Sequence, residues 1–241
     1  MGWPLHPDDR PGRASALSVA LGAALLVVLL LAGCASGTPD VPTSPAAPTV
    51  SGDLAALLTS AQAALDSGNL SAAEQSYRAA VSRAPKSGQA QFGLGNTLVR
   101  LGKLAEAETA YKAALAADPG MIAAHANLGV TYYQMTQLSK AADEFTAALK
   151  LNPNDAATTY LLGAVRLQEK NLAEAEKLLL KARDLDPKLP EPYYGLGALY
   201  QVKGQKAEAI AAFEKFLEIG PGQDPQAAEY ARNELKALQG Q

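Results

Sequence analysis

The sequence predicts an all-α fold, a right-handed solenoid of paired helices closed by one terminal helix. Three observations carry this. A 34-residue period runs without a gap through most of the 241-residue chain. Each period holds two helix-length apolar stretches and ends in a proline. Alanine dominates a hydrophobic content of 48 %, with only four Phe and one Trp. Alanine is the best intrinsic helix former and the least bulky core residue, so the composition suits helices packed close together. Self-similarity at this spacing is the signature of stacked helical repeats, each burying an apolar face on its neighbour.

The period is fixed by residue type at each step. Gly95, Gly129, Gly163 and Gly197 are 34 apart, and Leu94, Leu128, Leu162 and Leu196 precede them. Ala107, Ala141, Ala175 and Ala209 follow twelve residues later, and Pro119, Pro153, Pro187 and Pro221 close the units. The frame extends back to Ala61, Ala73, Tyr77, Ala80 and Pro85. This gives five units, 54–87, 88–121, 122–155, 156–189 and 190–223. Counted from the first residue of a unit, position 8 is small, position 20 is alanine, and position 24 is Tyr77, Tyr111, Phe145, Leu179 or Phe213. A small residue at position 8 lets the second helix approach the first. The bulky position 24 wedges between neighbouring units, and proline ends the second helix because it lacks the amide that would continue it.

Gly68, Gly102 and Gly204 mark the turn inside three of the units. The first unit departs from the pattern with Ser60-Ala61, the fourth with Arg166 and Leu179, which predict weaker local packing, and the fifth with Phe216 in place of alanine. Residues 224–241, "DPQAAEYARNELKALQGQ", open with Asp224 as N-cap and a proline at the first helical position. Ala228, Ala231, Leu235 and Leu238 share one face, as expected of a helix capping the last repeat.

This 34-residue pattern resembles the tetratricopeptide repeat (TPR) family over about 170 residues. The resemblance implies a groove lined by the first helix of each unit, chiefly its positions 2, 5, 9, 12 and 13, that receives a segment of a partner protein. Transferred to this sequence, the groove residues are Phe92, Asn96, Asn127, Val130, Tyr133, Tyr160, Leu167 and Tyr194, with Phe92, Tyr160 and Tyr194 all at position 5. Other members of the family hold a terminal carboxylate with lysines and asparagines. Here Asn96 and Asn127 occupy the asparagine positions, but Phe92, Ala157 and Leu161 stand where the cations would be, so that mode is not expected.

Ahead of the repeats, Arg10 and Arg13 flank a run without charge from Ala14 to Gly33. A basic flank, an apolar core and small residues before a cleavage point are the parts of a secretory signal, although a run this long also has the reach of a membrane span. Leu31-Ala32-Gly33-Cys34 resembles the lipobox of bacterial lipoproteins. That resemblance implies cleavage after residue 33 and a diacylglyceryl group with fatty acid (palmitate) on Cys34, the only cysteine. Three acyl chains exceed what stable anchoring requires. Residues 34–53 then form a tether, with Pro39, Pro42, Pro45 and Pro48 holding it near polyproline II geometry. At ~3.1 Å per residue its reach is roughly 60 Å.

A net charge of −3 without a basic cluster argues against nucleic acid. With Cys34 acylated, neither a disulfide nor a cysteine metal site is expected, and no cofactor beyond the lipid. His125 is the only histidine past the signal and sits at a packing position. Glu106 with Glu108 and Glu174 with Glu176 fall on outward faces. No catalytic or metal constellation emerges, so an enzyme is not expected. The expectation is a membrane-anchored, extracytoplasmic interaction scaffold of the cell envelope, similar in layout to pilotins and other assembly factors. The alternatives are a self-associating structural lipoprotein and a receptor for a glycan or small ligand. In lipoproteins of two-membrane bacteria Asp after the cysteine commonly signals inner-membrane retention. Ala35 stands there instead, which favours the outer membrane. The sequence leaves the oligomeric state open.

Overall fold

The computed structural model describes residues 53–220 and 224–240. The signal, Cys34 and the tether up to residue 52 lie outside the described residues, as does Pro221. Among the described residues there are eleven helices and no strand. They fall into two compact units, residues 53–153 and 154–240.

The first unit holds α1 (Leu54–Asp66), α2 (Leu70–Arg83), α3 (Gly88–Arg100), α4 (Leu104–Ala117), α5 (Ile122–Gln134) and α6 (Leu138–Leu151). Each odd helix pairs with the even helix after it, and α2 and α4 also pack on the odd helix that follows. Side-chain caps set several starts. Asn69 Oδ1 accepts from Ala72 N at 3.2 Å and Ser87 Oγ from Ala90 N at 3.2 Å, each cap contributing about 1 kcal/mol.

Position 8 shows why the pairs need a small residue. A methyl built on Gly95 would lie 2.6 Å from Tyr111 Cε1, and one on Gly129 would lie 2.7 Å from Phe145 Cε1. Tyr111 and Phe145 are fully buried on these bare backbones. Repeat one carries Ala61 instead, and the Tyr77 ring lies across Gly93 of the next repeat, where a methyl would come within 2.1 Å of Cε1.

The second unit holds α7 (Ala156–Gln168), α8 (Leu172–Leu185), α9 (Glu191–Val202), α10 (Lys206–Ile219) and α11 (Pro225–Gln239). The expectation of weakened packing in repeat four is corrected here. Leu179 is fully buried, and Arg166 Nη1 lies 2.7 Å from Glu169 Oε2. Leu179 reaches both Gly163 and Gly195, at 3.1 Å and 2.8 Å from the methyl each would carry, so a branched aliphatic fills the space a ring takes elsewhere. Asp224 Oδ1 accepts from Ala227 N at 2.9 Å and starts α11. Ala227, Ala228 and Ala231 are buried. Tyr194, Phe213, Phe216, Ala227 and Ala231 form one cluster, with Leu235 and Leu238 packed against it. Phe216, irregular in the sequence, is therefore one of the residues that seat the cap.

The turn inside each repeat takes a positive φ at position 15 in all five cases, although glycine occupies only three. Gly68, Gly102 and Gly204 have φ of 77°, 73° and 72°, while Thr136 and Lys170 have 58° and 61°. The closure is the same throughout: Gly68 N donates to Leu65 O and Asn69 N to Ala64 O, just as Thr136 N donates to Tyr133 O and Gln137 N to Tyr132 O. These bonds satisfy the last carbonyls of the first helix and require the left-handed residue. A β-branched threonine there is strained.

Two outcomes follow in urea denaturation. Gly129→Ala should destabilise by roughly 1–3 kcal/mol, because the Phe145 ring must move. Gly163→Ala should cost clearly less, because its nearest atoms, Leu179 Cδ2 and Cγ at 3.1 Å, need give by only a few tenths of an ångström, and alanine gains about 1 kcal/mol of helix propensity. Equal losses would mean that ring contact is not what selects glycine. Thr136→Gly should stabilise by roughly 0.5–1 kcal/mol, the left-handed penalty less the added chain entropy of glycine. An unchanged midpoint would show the turn to be unstrained.

Candidate functional site

The inner positions 2, 5, 9, 12 and 13 divide by unit. In the first unit Gln62, Gln89 and Arg100 are exposed, and Leu58, Phe92, Asn96, Asn127 and Gln134 are half-buried. Val130 and Tyr133 are buried, at 2 % and 6 % exposure. In the second unit Tyr160, Ala164, Leu167, Tyr194 and Ala198 are all buried. Of the eight residues singled out from the sequence, the structure brings Phe92, Asn96 and Asn127 together on an accessible surface.

Asn96 is the hub of that surface. Its Oδ1 accepts from Tyr111 Oη at 2.8 Å and from Asn127 Nδ2 at 2.8 Å, tying α3, α4 and α5 together. The Phe92 ring lies 6.0 Å from that of Tyr111, tilted by 52°. Repeat one repeats the motif, with Tyr77 Oη donating to Gln62 Oε1 at 2.9 Å and Gln62 Nε2 donating to Asp66 Oδ1 at 2.7 Å. Burial, aided by the Asp66 charge, pushes the Tyr77 hydroxyl up to about 12. Burial likewise raises Tyr111, so both phenols stay protonated as donors. Arg100 Nη1 donates to Leu65 O at 2.7 Å, capping the end of α1.

A rule legible in the sequence was missed. Where position 24 is tyrosine (Tyr77, Tyr111), position 9 is Gln62 or Asn96. Where position 24 lacks a hydroxyl (Phe145, Leu179, Phe213), position 9 is Val130, Ala164 or Ala198. A buried hydroxyl needs an acceptor, and the amide supplies it at the surface.

Tyr160 and Tyr194 lie in helix seams. A methyl on Gly195 would sit 3.3 Å from Tyr160 Cε2, so this glycine makes room for the ring. Tyr194 is 5.3 Å from Phe216 and 5.9 Å from Tyr230 of the cap helix. Tyr230 Oη reaches Gln201 Oε1, and Gln201 Nε2 hydrogen-bonds Glu234 Oε2, closing the inner face of repeat five. Glu191, at position 2, is buried there with Oε2 unpartnered, and burial followed by the charges of Asp186 and Asp224 pushes its carboxyl up.

His125 and three of the four acidic residues singled out from the sequence are engaged in ion pairs. His125 Nδ1 lies 2.7 Å from Glu144 Oε2. Glu106 pairs with Arg78 at 2.5 Å, Glu108 with Lys112 at 2.6 Å, and Glu176 with Lys203 at 2.7 Å. Glu108 also accepts from Tyr132 Oη at 3.0 Å.

The tetratricopeptide repeat family model matches residues 58–122, 127–190 and 190–222. The chain belongs to the tetratricopeptide repeat family. Among solved structures, residues 41 to the end of MamA from Desulfovibrio magneticus RS-1 are 25 % identical, spanning 72 % of this chain and 98 % of that one at a TM-score of 0.65. A tetratricopeptide repeat protein from Parabacteroides merdae is 25 % identical over 78 % of this chain and 73 % of its own, at a TM-score of 0.67. YrrB, described as a TPR protein with an unusual peptide-binding site, shares the fold at 23 % identity and a TM-score of 0.61, over 75 % of this chain and 92 % of its own. A comparison with curated proteins finds no match. The fold is thus a TPR solenoid, the architecture of a protein–protein interaction scaffold.

Two phenols, Tyr111 on α4 and Tyr133 on α5, test the hub. Tyr111→Phe should cost about 1 kcal/mol, since a buried donor to Asn96 is lost. Tyr133 Oη is buried without a partner, so Tyr133→Phe should be neutral or stabilising in the same melts. The reverse order would remove Asn96 as the organising acceptor.

Proposed function

We propose that this TPR protein is a lipid-anchored scaffold of the bacterial cell envelope that holds a segment of a partner protein on the inner surface of its first unit. The observation carrying the binding site is the accessible row of Phe92, Asn96 and Asn127, flanked by Gln62, Gln89 and Gln134. An exposed aromatic edge among amides offers apolar contact together with donors and acceptors of no net charge. That combination suits the backbone of an extended or helical peptide, whose own amides need partners once water is displaced. The side chains are held in place by Tyr111 and Tyr77 from behind, which limits the entropy lost on binding.

The anchoring part rests on Leu31-Ala32-Gly33-Cys34 behind an uncharged run and a basic flank. Acylation of Cys34 would place the repeats outside the cytoplasm, on the outer membrane in a two-membrane cell because Ala35 follows. A role as an assembly factor for an envelope machine, in the manner of a pilotin, fits a repeat surface joined to a membrane through a proline-rich stretch. A non-enzymatic role accords with the family and with the engagement of the acidic pairs in surface salt bridges.

The test is in-cell cross-linking with the anchored protein as bait, compared with a Gln89→Ala/Phe92→Ala variant whose helical circular dichroism is unchanged. A protein captured by the parent and absent from the variant supports the groove; identical capture lists reject it. Cys34→Ser should abolish labelling by radioactive palmitate and release the chain from membranes. Labelling that survives this change would refute lipidation at Cys34.

A further inference from the structure

The second unit carries a cleft on the other side of α9, away from Tyr194 and Ala198. Its cavity of about 340 Å³ lies between α8, α9 and α10, within the size range of small-ligand sites. Leu196 and Ala212, at 3 % and 8 % exposure, form its base. Tyr193 and Tyr200 line it, and Arg183 from α8 and Lys215 from α10 stand at its rim with Glu208.

The residue at the place of Ala212 differs between repeats: repeat two also has alanine there, Ala110, whereas repeats three and four have larger side chains. At the place of Ala212, repeat three has Glu144, joined to His125 at 2.7 Å across the site that Tyr193 takes in repeat five. Repeat four has Leu178 there, half-buried. The small native side chains of Ala211 and Ala212 line the cavity between the helices.

Three features then coincide: an apolar base, two cations and one carboxylate. Arg183 and Lys215 already pair with Asp184 at 2.7 Å and Glu218 at 2.9 Å. Those carboxylates are 65 % and 69 % exposed, and pairs so open to water are weak and exchange readily. Both cations therefore keep donors for a ligand. Glu208 has one oxygen held by Gln205 Nε2 at 3.2 Å, with the other left to accept. A zwitterion with an apolar side chain answers all three features at once. Its carboxylate meets Arg183 and Lys215, its ammonium meets Glu208, and its side chain covers Leu196 and Ala212. A C-terminal residue of a peptide lacks the ammonium and an N-terminal one the carboxylate, and a diacyl lipid exceeds the volume. We propose that this cleft binds a free apolar α-amino acid, of the size of leucine or phenylalanine. The site is separate from the inner surface and does not depend on the scaffold reading.

Ligand-observed saturation-transfer NMR on the full chain tests it, with phenylalanine, N-acetylphenylalanine and phenylalaninamide as probes. Phenylalanine should bind saturably, and each blocked form should bind about fivefold more weakly, the scale of one exposed ion pair. Ala212→Leu, filling the base, should abolish the signal, and Arg183→Ala should weaken it to the level of the amide. Gln89→Ala/Phe92→Ala should leave it unchanged, which separates this site from the groove. The proposal fails if phenylalanine shows no saturable transfer up to about 10 mM, beyond the affinity expected even of so small a ligand. It also fails if N-acetylphenylalanine binds equally well, which would instead identify a peptide C-terminus as the occupant.

Discussion

Everything in this molecule depends on how closely the two helices of a repeat approach each other. At Gly95, Gly129 and Gly197 an aromatic ring lies so close to the backbone that no side chain could stand there. The ring is held by this contact and in turn fills the gap toward the neighbouring helices. The alanines at position 20 are fully buried in this packing, with Ala107, Ala141, Ala175 and Ala209 all at 0 % accessibility. Interiors are packed as densely as organic crystals, so one repeat cannot change its spacing without disturbing the next. The 34-residue period without insertions is the sequence-level trace of that constraint.

The same contact decides polarity at the surface. A tyrosine wedged at position 24 brings a hydroxyl with it, and that hydroxyl must find an acceptor at the edge of the helix pair. In repeats one and two the acceptor is an amide that also faces outward. In repeats three to five the wedge carries no hydroxyl, and position 9 becomes Val130, Ala164 or Ala198. The amide-rich surface of the first unit is thus a by-product of core packing as much as a binding device. This accounts for a polar inner row in two repeats and an apolar one in the other three.

The sequence makes the fold legible because glycine, alanine and proline at fixed intervals report directly on backbone approach and helix ends. It is less informative where the backbone state does not select a unique residue. Thr136 and Lys170 adopt the left-handed turn of Gly68 because a Cβ at that position meets nothing within 4 Å, so only local strain opposes it. The site was half legible. Position 5 reads the same for Phe92, Tyr160 and Tyr194, yet exposure depends on what lies over it. For Tyr160 that is decided by Gly195, and for Tyr194 by Phe216 and the cap helix. Neither can be inferred from the inner positions alone, since the covering residues come from other faces.

The cap helix shows what this covering costs in function. Its apolar face, from Ala227 to Leu238, must be buried, and the surface it buries is that of Tyr194 and Gln201 in repeat five. Sealing the last repeat and presenting that repeat's inner face are mutually exclusive. In the second unit an open cleft lies instead on the other side of α9, lined by Leu196 and Ala212. There the small Ala211 and Ala212 of α10 line the cleft. The equivalent positions hold Glu144, paired with His125, in repeat three and Leu178 in repeat four. One fold thus holds two kinds of surface, an amide row where tyrosine wedges need acceptors and an apolar cleft where alanine replaces larger side chains.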